Sequence, residues 1–186
     1  MIHVGIDPGD VMGVAVYDPD QRVASLGELG RREGSYLTFE LAQGQIRDLG
    51  HLLAACTTTV GGNQMPCVVY VEDQFIPRMS SKDDARTVYK KAYRALGVAA
   101  HRGGVVALAR WFGAEPVVLY KPQTWRSKLY GKGHTRLDEK GYKKRACAYV
   151  QTLGVGRYPM SRSHVPEAVC ICEVGRREFD LGLIDA

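Results

Sequence analysis

The sequence has no uninterrupted apolar segment near the roughly 20 residues that crossing a membrane requires. A stretch such as residues 103–109 is among its longest apolar runs. The N-terminus lacks the positively charged region and small-residue cleavage site of a signal peptide. The five cysteines are odd in number and scattered, which does not suggest a disulfide framework. These absences predict a cytoplasmic protein with reduced thiols and no membrane partner.

The chain also lacks linkers, internal repeats and low-complexity tracts. Its 186 residues are a usual length for one domain. Its 45% hydrophobic and 24% charged residues are ordinary for globular proteins and exclude a disordered chain. We therefore expect residues 1–186 to form a single domain.

Positive charge is concentrated in the middle of the chain. Residues 1–75 carry 4 basic and 10 acidic side chains, whereas residues 76–146 carry 17 basic and 5 acidic ones. Aromatic residues such as Tyr93 and Trp125 lie among these cations. Cations can contact phosphates while aromatic rings stack on bases, so this pattern favours a nucleic acid as partner. A solvated helix surface is the alternative explanation of the same charges.

Hydrophobic periodicity and turn residues predict the order βββαβαβαα, which describes a mixed sheet with helices on its faces. The predicted strands lie at residues 2–7, 13–18, 22–29, 67–72 and 116–120. The predicted helices lie at residues 39–55, from Ser80 or Ser81 to Ala99, 105–112, 139–153 and 165–177. Residues 121–133 are polar and basic and are predicted to form a loop.

Acidic residues stand at the ends of two predicted strands. Asp7 ends the first strand and Glu72 ends the β-branched strand at 67–72. His164 and Glu167 are three residues apart, so they share one face at the start of the last helix. Convergence of these groups would give ligands suited to Mg²⁺ or Mn²⁺. Taken singly, each has another explanation, as a turn residue, a solvated strand end or a helix cap.

Five segments stand in order within residues 2–177: GIDPG at 5–9, GVAV at 13–16, VEDQF at 71–75, RGGVVA at 102–107 and HVPEA at 164–168. Together these segments resemble RuvC-type Holliday junction resolvases. The family commonly carries two acids three residues apart in the last segment. Here His164 takes the place of the first acid, and Glu167 is one methylene longer than the usual aspartate.

The resemblance implies an α/β, RNase H-like fold, with a mixed five-stranded sheet flanked by helices on both faces. It implies a homodimeric endonuclease that needs metal but no nucleotide cofactor, and that cuts opposed strands of a four-way DNA junction. Two Mg²⁺ or Mn²⁺ ions would activate water and stabilise the leaving oxygen. In this scheme Asp7 bridges the ions, Glu72 binds one, and Glu167 completes the second site. His164 is a ligand or orients the nucleophile.

The same resemblance makes Phe75 the residue that inserts among bases at the crossover, although a core aromatic is the alternative. The predicted phosphate contacts, of which only a subset is expected to act, are Arg78, Lys82, Arg102, Lys121, Arg126, Lys128, Lys132, Lys140, Lys143 and Lys144.

Three other functions remain open from the sequence. An actin-like ATPase also carries an aspartate and glycines in its first hairpin, but its duplicated domain needs about twice this length. A non-catalytic junction-binding protein would explain the altered last motif. A nuclease of the same fold could instead act on other branched DNA or on RNA.

Overall fold

The computed structural model describes residues 1–8, 11–20, 23, 30–42, 46–58, 64–73, 80–131 and 137–184. Apart from Val23, the strand predicted at 22–29 lies outside these residues. All five cysteines are free and buried, as their sequence environments predict. No helix in the described ranges combines the length and hydropathy needed to cross a bilayer.

The centre of the fold is a sheet of six strands. They are β1 (Ile2–Asp7), β2 (Val11–Tyr17), β3 (Arg31–Glu33), β4 (Tyr36–Ala42), β5 (Cys67–Glu72) and β6 (Val117–Tyr120). Their order across the sheet is β3-β4-β2-β1-β5-β6. β1 pairs antiparallel with β2 and parallel with β5. The predicted mixed sheet is confirmed, with six strands instead of five, and neither β3 nor β4 is among the predicted strands.

Helices cover both faces of the sheet, as predicted. They are α1 (Ile46–Thr57), α2 (Ala85–Trp111), α3 (Pro122–Tyr130), α4 (Glu139–Thr152) and α5 (His164–Asp180). On one face, α1 and α2 share a core with the sheet that includes Leu53, Val105 and Val69. On the other face, α3, α4 and α5 share a second core that includes Trp125, Val150, Ile171 and Tyr70.

The helix predicted at 39–55 is wrong in its first part, because residues 36–42 form β4 and the helix begins at Ile46. β4 pairs with β2 through seven consecutive residues. Leu37 and Phe39, two residues apart, are both buried in the core under α1 and α2. This alternation is the period of a strand, and the ladder to β2 outweighs the helical spacing of the same apolar residues.

The loop predicted at 121–133 is also wrong, because it contains α3. Pro122 is the first residue of this helix, where its missing N–H costs no hydrogen bond. Trp125 is fully buried and anchors the helix to the sheet. Leu129 and Tyr130 also pack against this core, but only Trp125 is fully buried, and the helix is too short for a clear hydrophobic period.

α2 is a single helix of 27 residues, so the helices predicted up to Ala99 and at 105–112 are continuous. Its N-cap is Asp84, not Ser80 or Ser81. The Asp84 carboxylate accepts a hydrogen bond from the backbone N–H of Thr87 at 2.7 Å. This is a usual N-cap contact, and it satisfies one of the free N–H groups of the first turn.

Two glycines allow α5 to lie directly on the sheet. An ideal Cβ at Gly5 of β1 would lie 2.2 Å from the carbonyl oxygen of Ala168. An ideal Cβ at Gly13 of β2 would lie 2.1 Å from the carbonyl oxygen of His164. The absence of side chains at both positions therefore brings the first turn of α5 against the end of β1.

Candidate metal centre

Asp7 and Glu72 occupy matching positions at the ends of two neighbouring parallel strands. The paired residues of β1 and β5 extend to Ile6 and Val71, so Asp7 and Glu72 come next in each strand. Ile6 and Val71 belong to the core under α1 and α2. Because side chains alternate along a strand, Asp7 and Glu72 face the other side, which α5 covers. Both are buried, with 3% and 6% of their surface exposed.

The first turn of α5 brings two more groups to this point. His164 Nδ1 lies 3.1 Å from Asp7 Oδ2. Glu167 is one turn further along the same face and is also buried. One ligand atom from each of Asp7, His164 and Glu167 lies within 4.8 Å of the other two. The glycine at position 13 makes this approach possible, since it lies under the backbone of His164.

The carboxylates of the cluster repel one another. Burial raises the pKa of Glu72 well above its usual value, and the negative charge of Asp7 raises it further. Burial and then Asp7 also raise the pKa of Glu167, to about 7. The hydrogen bond with Asp7 raises the pKa of His164. The site therefore holds protons that a cation could displace.

The donor set fits a divalent cation. Carboxylate oxygens are the ligands that Mg²⁺ prefers, and an imidazole nitrogen beside them is acceptable to Mn²⁺. The charge of a cation would offset the repulsion that burial makes costly. Asp7, His164 and Glu167 meet the distance requirement together, and Glu72 is close enough to interact electrostatically with Asp7 and Glu167.

α3 provides two consecutive residues that contact the cluster, and the sequence analysis missed one of them. The indole N–H of Trp125 donates a hydrogen bond to Glu72 Oε1 at 3.0 Å. The signal available in the sequence was Pro122, which favours the first turn of a helix and places the next residues on it. A loop at residues 121–133 gives no reason to expect Trp125 beside a carboxylate.

Arg126 is oriented towards the cluster. Its side chain is 12% exposed, and its guanidinium lies 3.3 Å from Glu167 Oε1 and 3.6 Å from Glu139 Oε2. The guanidinium also stacks over the ring of Tyr142, 4.3 Å from its centroid. This positive charge opposes the rise in the pKa of Glu167. Arg126 stays a predicted phosphate contact, and in the structure its guanidinium has carboxylate partners.

The other predicted DNA contacts differ in their exposure and in their ion-pair partners. Phe75, Arg78 and Lys132 lie outside the described residues. The guanidinium of Arg102 pairs with Asp73, and the Lys128 ammonium pairs with Glu178. Lys143 is half-buried and its charge acts on His164 and Glu167. The predicted contacts that are simply exposed are Lys82, Lys121, Lys140 and Lys144.

We expect the metal-free protein to lose stability as the pH rises from about 4.5 to about 7. Glu167 keeps its proton up to about pH 7 in the folded state, whereas the unfolded chain releases it near 4.5. The folded state therefore binds more protons in this window, and the free energy of unfolding falls with pH. The measurement is the melting temperature in EDTA near both ends of the window, for the wild type and Glu167→Gln.

Glu167→Gln should show a smaller decline, because its amide does not titrate. The control is Glu115→Gln, which removes the charge of an exposed carboxylate outside the cluster. Equal slopes for the wild type and Glu167→Gln would contradict the assignment of this titration to Glu167.

Comparisons with known proteins support the fold. No protein-family model matches the chain, and no curated protein matches it. A solved structure of Thermus thermophilus RuvC is similar to it, with a TM-score of 0.55 and 20% identity. T. thermophilus RuvC in complex with a Holliday junction substrate gives a TM-score of 0.54, also at 20% identity. Each comparison covers 100% of this chain and 99% of the RuvC chain. The chain therefore has the RuvC, RNase H-like fold that its sequence motifs predict.

Proposed function

We propose that this protein is a metal-dependent endonuclease that resolves four-way DNA junctions by paired, symmetric nicks. The observation that carries the proposal is the meeting of Asp7, Glu72, His164 and Glu167 at one edge of a RuvC-type sheet. Three buried carboxylates and an imidazole, carried by β1, β5 and α5, are costly to bring together. A site for divalent cations gives this arrangement a function.

The proposed chemistry is hydrolysis of a phosphodiester bond. Divalent cations bound in the site would supply an activated water and would stabilise the charge on the leaving oxygen. Asp7 lies at hydrogen-bond distance from His164 and interacts electrostatically with both glutamates. Asp7, Glu72 and Glu167 are the carboxylates that would hold the cations, and Asp7 is assigned the central role. His164 serves as a ligand or orients the attacking water.

The charged surface beside the site suits a DNA backbone. Lys140 and Lys144 are exposed on α4, and Lys143 on the same helix acts on His164 and Glu167. Cations that neutralise phosphates release counterions, so the affinity should fall steeply with salt. Residues of α4 would thus hold a phosphodiester next to the carboxylates.

A second copy of the chain is the proposed partner at α2. Two opposed strands of a junction require two sites, which a twofold dimer supplies. Tyr89, Tyr93 and Leu96 follow one face of α2 and are 70%, 71% and 70% exposed. The two tyrosine rings stack with centroids 6.4 Å apart. An exposed apolar stripe of this kind is typical of an interaction surface.

We expect Leu96→Glu to weaken the dimer by about 100-fold, because a charge would be buried in a central apolar contact. The molar mass measured by light scattering over a dilution series reports the change. Leu181→Glu is the control, since Leu181 is a large apolar residue, 73% exposed, that follows α5 on the opposite face of the sheet from α2. A Leu96→Glu protein that stays dimeric at every dilution would contradict this interface.

The function is tested with an end-labelled synthetic four-way junction and a linear duplex of equal length. Each is incubated with Mg²⁺, with Mn²⁺ or with EDTA. Paired, ligatable nicks in the junction alone, lost in EDTA, are the expected result. Equal cutting of the duplex would indicate a general nuclease, and preferential cutting of forks or RNA would indicate another branched substrate. Tight junction binding with no cutting in either metal would indicate a non-catalytic binding protein.

A further inference from the structure

Trp125 directs its single polar atom at the candidate metal centre. It is the largest of the fully buried side chains in the described residues. The indole N–H is only a donor, so it needs an acceptor when it is buried. That acceptor is Glu72 Oε1, at 3.0 Å. The contact joins α3 to the end of β5 beside Asp7.

The orientation of the indole is fixed from two sides. The ring of Tyr130 packs against it edge to face, with centroids 6.1 Å apart and an angle of 64°. The Arg126 guanidinium lies 5.2 Å from the centroid of the indole ring. Because Trp125 also packs α3 onto the sheet, its indole ring cannot rotate and its N–H points only at Glu72. Trp125 is therefore a rigid donor.

Glu72 needs such a donor more than Asp7 does. The strand fixes the backbone of Glu72, but three side-chain bonds remain free to rotate. Ordering a glutamate side chain costs conformational entropy, and repulsion from Asp7 favours conformers that move the carboxylate away. A hydrogen bond to one oxygen restrains the carboxylate and leaves the second oxygen available to a cation.

We propose that Trp125 is a positioning residue that orients Glu72 for binding a divalent cation through the indole N–H. This inference rests on the proposed function and deepens it. If Trp125 only filled the core, the loss of its N–H would lower stability and leave the affinity for metal unchanged. Hydrogen-bond partners of metal ligands typically contribute 10–100-fold to metal affinity.

The test removes the N–H and retains an aromatic ring, with Trp125→Phe in the full chain. Mn²⁺ binding is measured by calorimetry, and junction cleavage is measured as kcat and KM. We expect Mn²⁺ affinity to fall by about 10-fold or more and kcat to fall with it. KM for the junction should not change, because the indole is buried away from DNA. Replacement of Trp125 by benzothienylalanine keeps the shape, lacks the donor and covers the case in which Trp125→Phe does not fold.

Tyr130→Phe is the matched control. It removes one polar group from a neighbouring ring of α3, and the Tyr130 hydroxyl contacts Cys170 Sγ rather than a carboxylate. We expect Tyr130→Phe to bind Mn²⁺ and cleave the junction like the wild type. Loss of Mn²⁺ affinity in Tyr130→Phe equal to that in Trp125→Phe would overturn the proposal, since it would indicate general loosening of α3.

A double-mutant cycle separates an effect through Glu72 from any other. In the Glu72→Gln background, Trp125→Phe should cause no further loss of Mn²⁺ affinity. An equal loss with and without the Glu72 carboxylate would overturn the proposal. Unchanged Mn²⁺ affinity in both position-125 variants of a cleaving enzyme would also overturn it. A wild type that neither binds Mn²⁺ nor cuts would overturn the proposed function itself.

Discussion

Asp7→Asn is expected to abolish cleavage of the four-way junction while leaving the protein folded and able to bind DNA. The change removes the charge of the residue that lies between His164 and the two glutamates. Because groups that act as a unit in catalysis fail together, we expect the cleavage rate to fall by about 10³-fold or more. The measurement is single-turnover cleavage of a labelled junction in Mg²⁺ and in Mn²⁺.

The same variant should not be less stable than the wild type in EDTA. Asp7 raises the pKa of both Glu72 and Glu167 by repulsion, so its neutralisation removes an unfavourable interaction. Asparagine keeps the shape and can still accept a hydrogen bond from His164. The control is Asp48→Asn, which neutralises an exposed carboxylate on α1, across the sheet. A cleavage rate of Asp7→Asn within about 10-fold of the wild-type rate would contradict the assigned role of Asp7.

Gly5→Ala is expected to destabilise the protein strongly. The new Cβ would lie 2.2 Å from the carbonyl oxygen of Ala168 and 2.6 Å from Cys172 Cβ. Both neighbours belong to α5, and the nearer one is backbone, so the helix must shift. Overpacking of this kind costs about 1–3 kcal/mol and occasionally more. We expect a loss near the top of that range, measured by urea denaturation.

Gly5→Ala should reduce cleavage too, because the displaced helix carries His164 and Glu167. Gly103→Ala is the matched control, since an ideal Cβ at Gly103 of α2 meets nothing within 4 Å. In a helix interior alanine is favoured over glycine by about 1 kcal/mol, so this control should be neutral or stabilising. Similar stabilities for the two variants would contradict the close approach of α5 to β1.

The sequence predicts the residues of the candidate site more completely than it predicts the strands and helices around them. Asp7 and Glu72 end strongly apolar strands, so their positions follow from the strand period and from the side of the sheet where strands end. His164 and Glu167 follow from their spacing at the start of a helix. The resemblance to RuvC-type proteins joins these local signals into one site. The structure groups Asp7, His164 and Glu167, and Glu72 ends the neighbouring strand.

The errors have a common physical cause. β4 and α3 depend on partners distant in sequence, and their own residues give weak periodic signals. β4 is stabilised by its ladder to β2, and α3 is anchored mainly by one buried tryptophan. The contact of Trp125 with Glu72 spans 53 residues, and no local pattern records it. Short elements fixed by tertiary contacts are the ones that periodicity misses.

The position of α5 in the chain determines when the proposed nuclease can exist during synthesis. This helix is the last described element, and it provides two of the four proposed ligands together with much of one core. A growing chain that has not reached His164 already carries Asp7, Glu72 and the basic segment, so it could hold DNA without the complete cluster. In the proposed nuclease, cutting would therefore require that α5 has been synthesised and has packed on the sheet.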